Sequence, residues 1–312
     1  MRKNGTFIAG TGVSGFTKLI LAILPAIGLC CGENHGDTML FSLIVATYNR
    51  YDALQILFES LCAQKCKQFE VILVDQNSCE FLQPLIDQYA PCFPLHRHLT
   101  QHAGVSKARN IGIANAQGSI IAFPDDDCWY APHTLETVAA KLQQPSSKFS
   151  GLLVNWAESP QKEKTMTPVL KDLNRFSAFS GSQTYTQFYR KEAIKGIFFD
   201  PEFGPGTTLP YACGEDTDFL LQVLKKGHRI AYSSETLVFH AKPNMNDPKL
   251  YAKTHAYALG RMHLLRKHSF PLWFKLVNLA FPLYRALVEG KAAWPYRKAM
   301  FFGRLQGLLE RR

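Results

Sequence analysis

The chain is 312 residues long, 46% hydrophobic and 19% charged, with a formal net charge of +10. That balance excludes a disordered or fibrous chain and predicts a sizeable core in one large domain or two. The charge is uneven: from Lys249 onward thirteen Lys and Arg face only Glu289 and Glu310. The tail therefore needs an anionic partner, membrane lipid or nucleic acid. Eight cysteines are scattered without a CxxC pair, which predicts reduced thiols, a cytosolic compartment and no zinc site.

Met1-Arg2-Lys3 precedes an apolar run from Leu19 to Cys31, broken by Pro25 and Gly28. It is too short to span a bilayer, which takes about 20 apolar residues, and no small-residue cleavage site follows it. Residues 1–38 are expected to be a disordered or weakly membrane-seeking leader. The first clear strand is Leu40 to Ala46, running into Thr47-Tyr48-Asn49-Arg50. Asp52 is placed to cap the helix carried by Leu54, Leu57, Phe58 and Leu61. Phe69 to Val74 reads as a second buried strand, ending in Asp75-Gln76-Asn77-Ser78, and a helix from about Phe81 to Tyr89 follows. After a short strand beyond Pro94, Gly104 to Ala114 reads as an amphipathic helix stopped by Gly118.

Ile120 to Phe123 is an apolar run closed by Pro124 and followed by Asp125-Asp126-Asp127. Adjacent carboxylates repel one another unless a cation neutralises them, and hard oxygen ligands suit Mg²⁺ or Mn²⁺. A solvated acidic turn is the plain alternative. Strands alternating with helices predict a parallel, doubly wound sheet. Its polar strand ends, Thr47 to Arg50, Asp75 and Asp125 to Asp127, then fall on one edge, where such sheets take ligands.

Beyond a helix through Leu135 to Leu142, Gln143 to Ser147 is a plausible seam. Gly151 to Trp156 and Thr184 to Tyr189 read as strands, and Glu158 to Lys171 as a loop on the acceptor side. Phe203-Gly204-Pro205-Gly206 is expected to turn or close over a ligand. Glu215, Asp216 and Asp218 open a helix, where acids complement the macrodipole, although three acids in four positions exceed what one cap needs. Leu237 to His240 reads as the last strand.

These residues together resemble the family 2 glycosyltransferases, whose fold is GT-A, over about Met39 to His240. The resemblance rests on Ala46 to Arg50, Val74 to Ser78, Gly104 to Gly112, Asp125-x-Asp127, Phe203 to Gly206 and Gly214-Glu215-Asp216. It implies a Rossmann-like, mostly parallel central sheet. Residues 39–248 would form the glycosyltransferase domain, with a nucleotide-binding half at about 39–142 and an acceptor half at 143–248. It also implies inverting, metal-dependent transfer from a nucleotide-sugar, a UDP-sugar first, to a carbohydrate or lipid-linked hydroxyl in polysaccharide, lipopolysaccharide or glycolipid synthesis. Thr47, Tyr48 and Arg50 would hold base and ribose, and Asp75 the base. Arg109 would lie near the diphosphate, or form a structural ion pair instead. Asp125 would meet ribose or sugar hydroxyls. Asp127 would hold Mn²⁺ or Mg²⁺, with Asp125, Asp126 and His240 as further candidates. His240 could equally be a satisfied core or surface histidine. Asp216 is the expected general base, with Glu215 second.

Residues 249–312 combine Trp, Phe and Tyr with Lys and Arg, and Pro271, Lys275 and Pro282 interrupt the apolar stretch. They read as a C-terminal basic amphipathic helical tail on an anionic membrane surface, or as a cap over the sheet. No nucleic-acid module accompanies it, so the expected location is the inner face of the cell membrane. Two other readings carry weight: a nucleotidyltransferase on a similar sheet, and a nucleotide-sugar-binding protein with a decayed catalytic centre. The segment Ala46 to Arg50 lacks the glycines of a triphosphate loop, and the intact acid sets oppose decay.

Overall fold

Phe41–Thr47 (β1) and Phe69–Asp75 (β2) are apolar on both faces because both faces are covered. Phe41, Leu43, Val45, Phe69, Val71 and Leu73 enter one core, while Ile44, Ile72 and Val74 enter the other. This is the period-2 alternation of a strand sandwiched between helical layers. The computed structural model describes residues 40–101, 104–144, 147–160, 169–207, 210, 213–241 and 250–310. The expected leader lies outside these residues, and Thr38–Arg312 forms one unit.

The remaining strands are Leu95–Leu99 (β3), Ile120–Ala122 (β4), Cys128–Tyr130 (β5), Gly151–Ala157 (β6), Leu170–Asp172 (β7), Gln187–Arg190 (β8) and Ile230–His240 (β9). They form one sheet in the order β3-β2-β1-β4-β8-β6-β9-β5, with β7 also on β9. The β3-β2-β1-β4 wing is wholly parallel, as a doubly wound sheet requires. β8 runs antiparallel between β4 and β6, and β6 with β9 is again parallel.

Helices Tyr51–Cys62 (α1), Gln83–Tyr89 (α2) and Thr134–Gln143 (α4) cover one face through Leu54, Leu57, Phe58, Leu85, Leu135 and Val138. Val105–Asn115 (α3), Glu215–Lys225 (α5) and Leu250–Lys267 (α6) cover the other through Ala108, Phe219, Leu220, Val223, Met262 and Leu265. Leu272–Glu289 (α7) and Trp294–Leu309 (α8) follow. α3 ends at Asn115, where Ala116 is already extended, so Gly118 does not stop it; Gly118 instead lies against β1, where a Cβ would sit 2.5 Å from the Phe41 backbone.

Several local expectations change. Asp52 lies in the first turn of α1 but does not cap it; Arg50 takes the N-cap position without a side-chain bond. Thr184–Thr186 is a 3₁₀ turn and the strand begins at Gln187, whose carbonyl-seeking amide is already bonded to Ser182 and Asp216 backbone oxygens. The last strand starts at Ile230, because β7 pairs across Ser233 and holds the polar stretch in the sheet. Leu170 and Lys171, expected in a loop, are β7; residues 161–168 of that loop lie outside the described residues. The start of the tail is a cap: Met262 and Leu265 of α6 are fully buried in the sheet's second core.

Candidate active site

The carboxyl ends of β1, β2 and β4 open into a cleft of about 590 Å³. Tyr48 and Arg50 follow β1, Gln76 follows β2, and Asp125, Asp126 and Asp127 follow β4; all line it. Glu215 at the start of α5 and His240 at the end of β9 face the same space. The Phe203–Gly206 turn, and Gly214 just before α5, depend on glycine. Gly204, Gly206 and Gly214 all have positive φ (97°, 85° and 109°), a region glycine enters at no steric cost. The Val105 N–H donates to the Pro205 carbonyl at 3.1 Å, and the Ser106 hydroxyl donates to that of Phe203 at 2.8 Å. That turn is thereby tied to the head of α3.

Asp127 is the junction of the acid cluster. Its carboxylate accepts from Arg50 at 3.0 Å and meets His240 Nε2 at 3.0 Å. His240 arrives because β5 pairs antiparallel with β9, setting Cys128 opposite His240. The ring stacks on Tyr185 at 4.8 Å and meets the edge of Trp156. Its Nδ1 lies 2.6 Å from the Ala241 carbonyl, which requires Nδ1 to donate and directs Nε2 at the acids. Burial works against the charge of both partners, yet their mutual hydrogen bond wins: His240 titrates above its usual range and Asp127 below its own.

Ligand atoms of Asp125, Asp127 and His240 all lie within 4.8 Å of one another. Two carboxylates suit Mn²⁺ or Mg²⁺, and the imidazole nitrogen favours Mn²⁺ of the two, so the donor set fits the divalent ion implied by the sequence. Asp126 lies beside them, and burial pushes its carboxyl up to about 7. Asp125 is raised as well, by burial that outweighs the attraction of Arg109. Arg109, 3% exposed, bonds Asp125 at 2.6 Å and reaches Glu215 at 3.4 Å. It is thus a structural bridge between the two acid clusters as well as a wall of the cleft.

Other expected site residues are placed differently. Asp75 is fully buried and already satisfied: Arg97 holds one oxygen at 2.6 and 2.9 Å, while Asn77 holds the other at 2.7 and 2.9 Å. Gln76 is the β2-end residue that lines the cleft. Thr47 is also buried, whereas Tyr48 is exposed. Asp216 lines a smaller cavity of about 310 Å³, which shares Thr254, Tyr257 and Tyr296 with the main cleft. Burial, then the charge of Glu215, pushes Asp216 up to about 7. Asp218 takes no part: fully buried, it is held at 2.8 Å by Lys267 and 2.7 Å by His268, which fastens α5 to the end of α6. Lys253, Thr254 and Tyr257 of α6 and Tyr296 of α8 were not singled out from the sequence, yet they complete the cleft.

Acids after a parallel strand, two of them able to share a cation with a histidine, thus stand at the sheet edge where α/β folds take ligands, with Glu215 on the same cleft and Asp216 on the adjoining cavity. The chain matches the family described as "Glycosyl transferase family 2" over residues 42–198, half its length, and belongs to that family. An uncharacterised glycosyltransferase of Bacillus subtilis, YwdF, is 28% identical over 169 residues, covering 53% of this chain and 61% of its own. The poly(ribitol-phosphate) β-N-acetylglucosaminyltransferase TarS of Staphylococcus aureus is 28% identical over 215 residues, covering 65% of this chain and 35% of its own. This chain thus spans between about a third and three-fifths of the length of these relatives.

Among solved structures, TarS residues 1–349 with UDP aligns with a TM-score of 0.57 at 20% identity, covering 88% of this chain and 82% of that one. The mannosyltransferase PcManGT of Pyrobaculum calidifontis, with GDP-Man and Mn²⁺, gives 0.61 at 16% identity, covering 87% and 88%. These likenesses establish the GT-A fold.

Proposed function

We propose that the chain is an inverting, divalent-cation-dependent glycosyltransferase that moves a sugar from a nucleoside diphosphate sugar to a hydroxyl acceptor in cell-surface polymer or glycolipid synthesis. One observation carries the reading: a cation-competent set, Asp125, Asp127 and His240, faces an acid pair, Glu215 and Asp216, around one cleft system. The UDP and UDP-GlcNAc bound by TarS, and the GDP-Man bound by PcManGT, support a nucleotide-sugar donor. Asp125, Asp127 and His240 would hold Mn²⁺ or Mg²⁺, which as a Lewis acid offsets charge on the departing diphosphate. Arg50 adds a cation at the same edge, and Tyr48 offers an exposed ring for the base. Asp216, with its carboxyl near neutrality, takes the acceptor proton as the oxygen attacks opposite the leaving group.

The test is a panel of UDP- and GDP-sugars with Mn²⁺, read as released nucleoside diphosphate and as donor-induced thermal shift. One donor should both stabilise the protein and be turned over. Stabilisation by none of them would remove the reading.

The membrane surface enters through α7, which we take to rest on anionic lipid at the inner face of the cell membrane. Its buried stripe is Asn278, Pro282 and Ala286, whereas Leu272, Trp273, Leu276, Val277, Phe281, Leu287 and Val288 are exposed. Among the described residues no helix is long and apolar enough to cross a membrane. Bulky apolar residues beside a strongly basic chain segment suit interfacial binding. The protein should sediment with anionic vesicles, and a Leu276→Asp/Leu287→Asp variant should lose most of that binding. Equal sedimentation of both forms would refute the lipid role of α7.

A further inference from the structure

Arg304 of α8 is 5% exposed, and among the described residues no carboxylate lies within ion-pair distance of it. It donates to the Asn278 carbonyl, but its buried Nε–H has no hydrogen-bond partner. Arg261 of α6 stands in the same cavity, also without a carboxylate partner at that range. Its Nε donates to Asn278 Oδ1 at 2.9 Å, and its guanidinium lies 4.5 Å from the centre of the Phe179 ring.

A buried guanidinium beside a half-buried one is costly, because each loses hydration and the like charges repel. Burial pulls Arg261 down to about 10, and burial with the charge of Arg261 pulls Arg304 down to about 9. A folded chain keeps such a pair most readily where an anion completes it. Guanidinium groups present planar N–H forks that match the oxygens of a phosphate. The cavity they line is the one that Asp216 borders, and Phe179, Tyr257 and Met300 give it an apolar wall. The donor's diphosphate belongs at the other end, beside Asp127 and Arg50.

We infer that the cavity beside Asp216 binds a phosphate group carried by the acceptor, gripped by Arg261 and Arg304, so that the acceptor hydroxyl is presented to Asp216. The assignment to the acceptor rests on the transferase reading above; the phosphate site itself does not. Either a phosphorylated polyol or a phosphate-bearing lipid could supply the group.

The probe is inorganic phosphate, titrated by thermal shift into protein whose donor cleft is already filled with UDP and Mn²⁺. Phosphate should stabilise the native protein, and Arg304→Met should weaken that effect at least tenfold while leaving the UDP-induced shift unchanged. Arg304→Lys, which keeps the cation but loses the fork, serves if the first variant does not fold, and it too should weaken phosphate. No stabilisation of the native protein by phosphate, or an equal effect in the variants, would overturn the site. Glycerol phosphate and a vesicle containing a phosphomonoester lipid, each against its unphosphorylated counterpart, then distinguish the two sources. If phosphate binds at Arg304 but no donor is turned over, the site stands and the transferase reading falls.

Discussion

Replacing Asp216 by Asn should lower kcat for sugar transfer by roughly 10²- to 10⁴-fold, the range general base catalysis supplies, while nucleotide binding changes little. The isosteric amide keeps the oxygen that accepts from the Thr217 N–H at 2.6 Å, so the head of α5 is preserved. Asp216 also lies outside the cleft that would hold the nucleotide. A base must be ionised to work, and burial has raised this one to about 7. The wild-type rate should therefore climb as pH rises through about 7, and the residual rate of Asp216→Asn should lack that limb.

Stability should move the opposite way. A carboxyl whose folded pKa exceeds its ordinary value of 3.8 favours the fold below that value and loses this contribution as pH rises through about 7. Asp216→Asn should thus melt higher than wild type at pH 8 and close to it at pH 4. Glu215 is the internal control. Paired to Arg109 and lining the main cleft, it should affect donor KM more than kcat when changed to Gln. A larger kcat loss in Glu215→Gln than in Asp216→Asn would exchange the two roles.

The parallel wing was legible in the sequence because its physics is local. Uninterrupted apolar runs at Phe41 and Phe69, each followed by a helical period, leave few options other than strands covered on both faces. Strand ends were legible for the same reason, which is why Asp125 to Asp127 could be placed at the cleft before any fold was known. What was lost depends on pairing between distant segments. Three residues, Cys128 to Tyr130, carry no strand signal by themselves, yet their ladder with β9 is what delivers His240 to Asp127. Nothing around Asp75 announces that Arg97, on the neighbouring β3, will occupy it. The tail was read from composition, which counts basic and aromatic residues without telling a buried Arg304 from an exposed Lys. Its contribution to the cleft, through Tyr257 and Tyr296, is a product of tertiary packing alone.

Asp127→Ala should abolish high-affinity Mn²⁺ binding and divalent-stimulated transfer together, because no neighbour can replace the carboxylate that joins both sides of the site. Asp125, itself one of the ligands and shared with Arg109 at 2.6 Å, has no second carboxylate to offer, and Asp126 is raised to about 7, so near neutrality it is only partly ionised. His240→Ala should be milder, weakening Mn²⁺ binding without abolishing it, because it removes the nitrogen ligand and leaves the hard carboxylate oxygens. Asp125 and Asp127 would remain to hold the ion. Direct titration of Mn²⁺, followed by its magnetic resonance signal, reads both variants without any knowledge of the substrate. Arg50 and His240 both bond the Asp127 carboxylate, so Arg50 competes with a cation for it. Removing Arg50 should then tighten Mn²⁺ even as it weakens the nucleotide, since the competing cation has gone while a contact for phosphate has been lost. A loss of both in Arg50→Ala would mean that Arg50 holds the acidic loop in shape and does not compete for it.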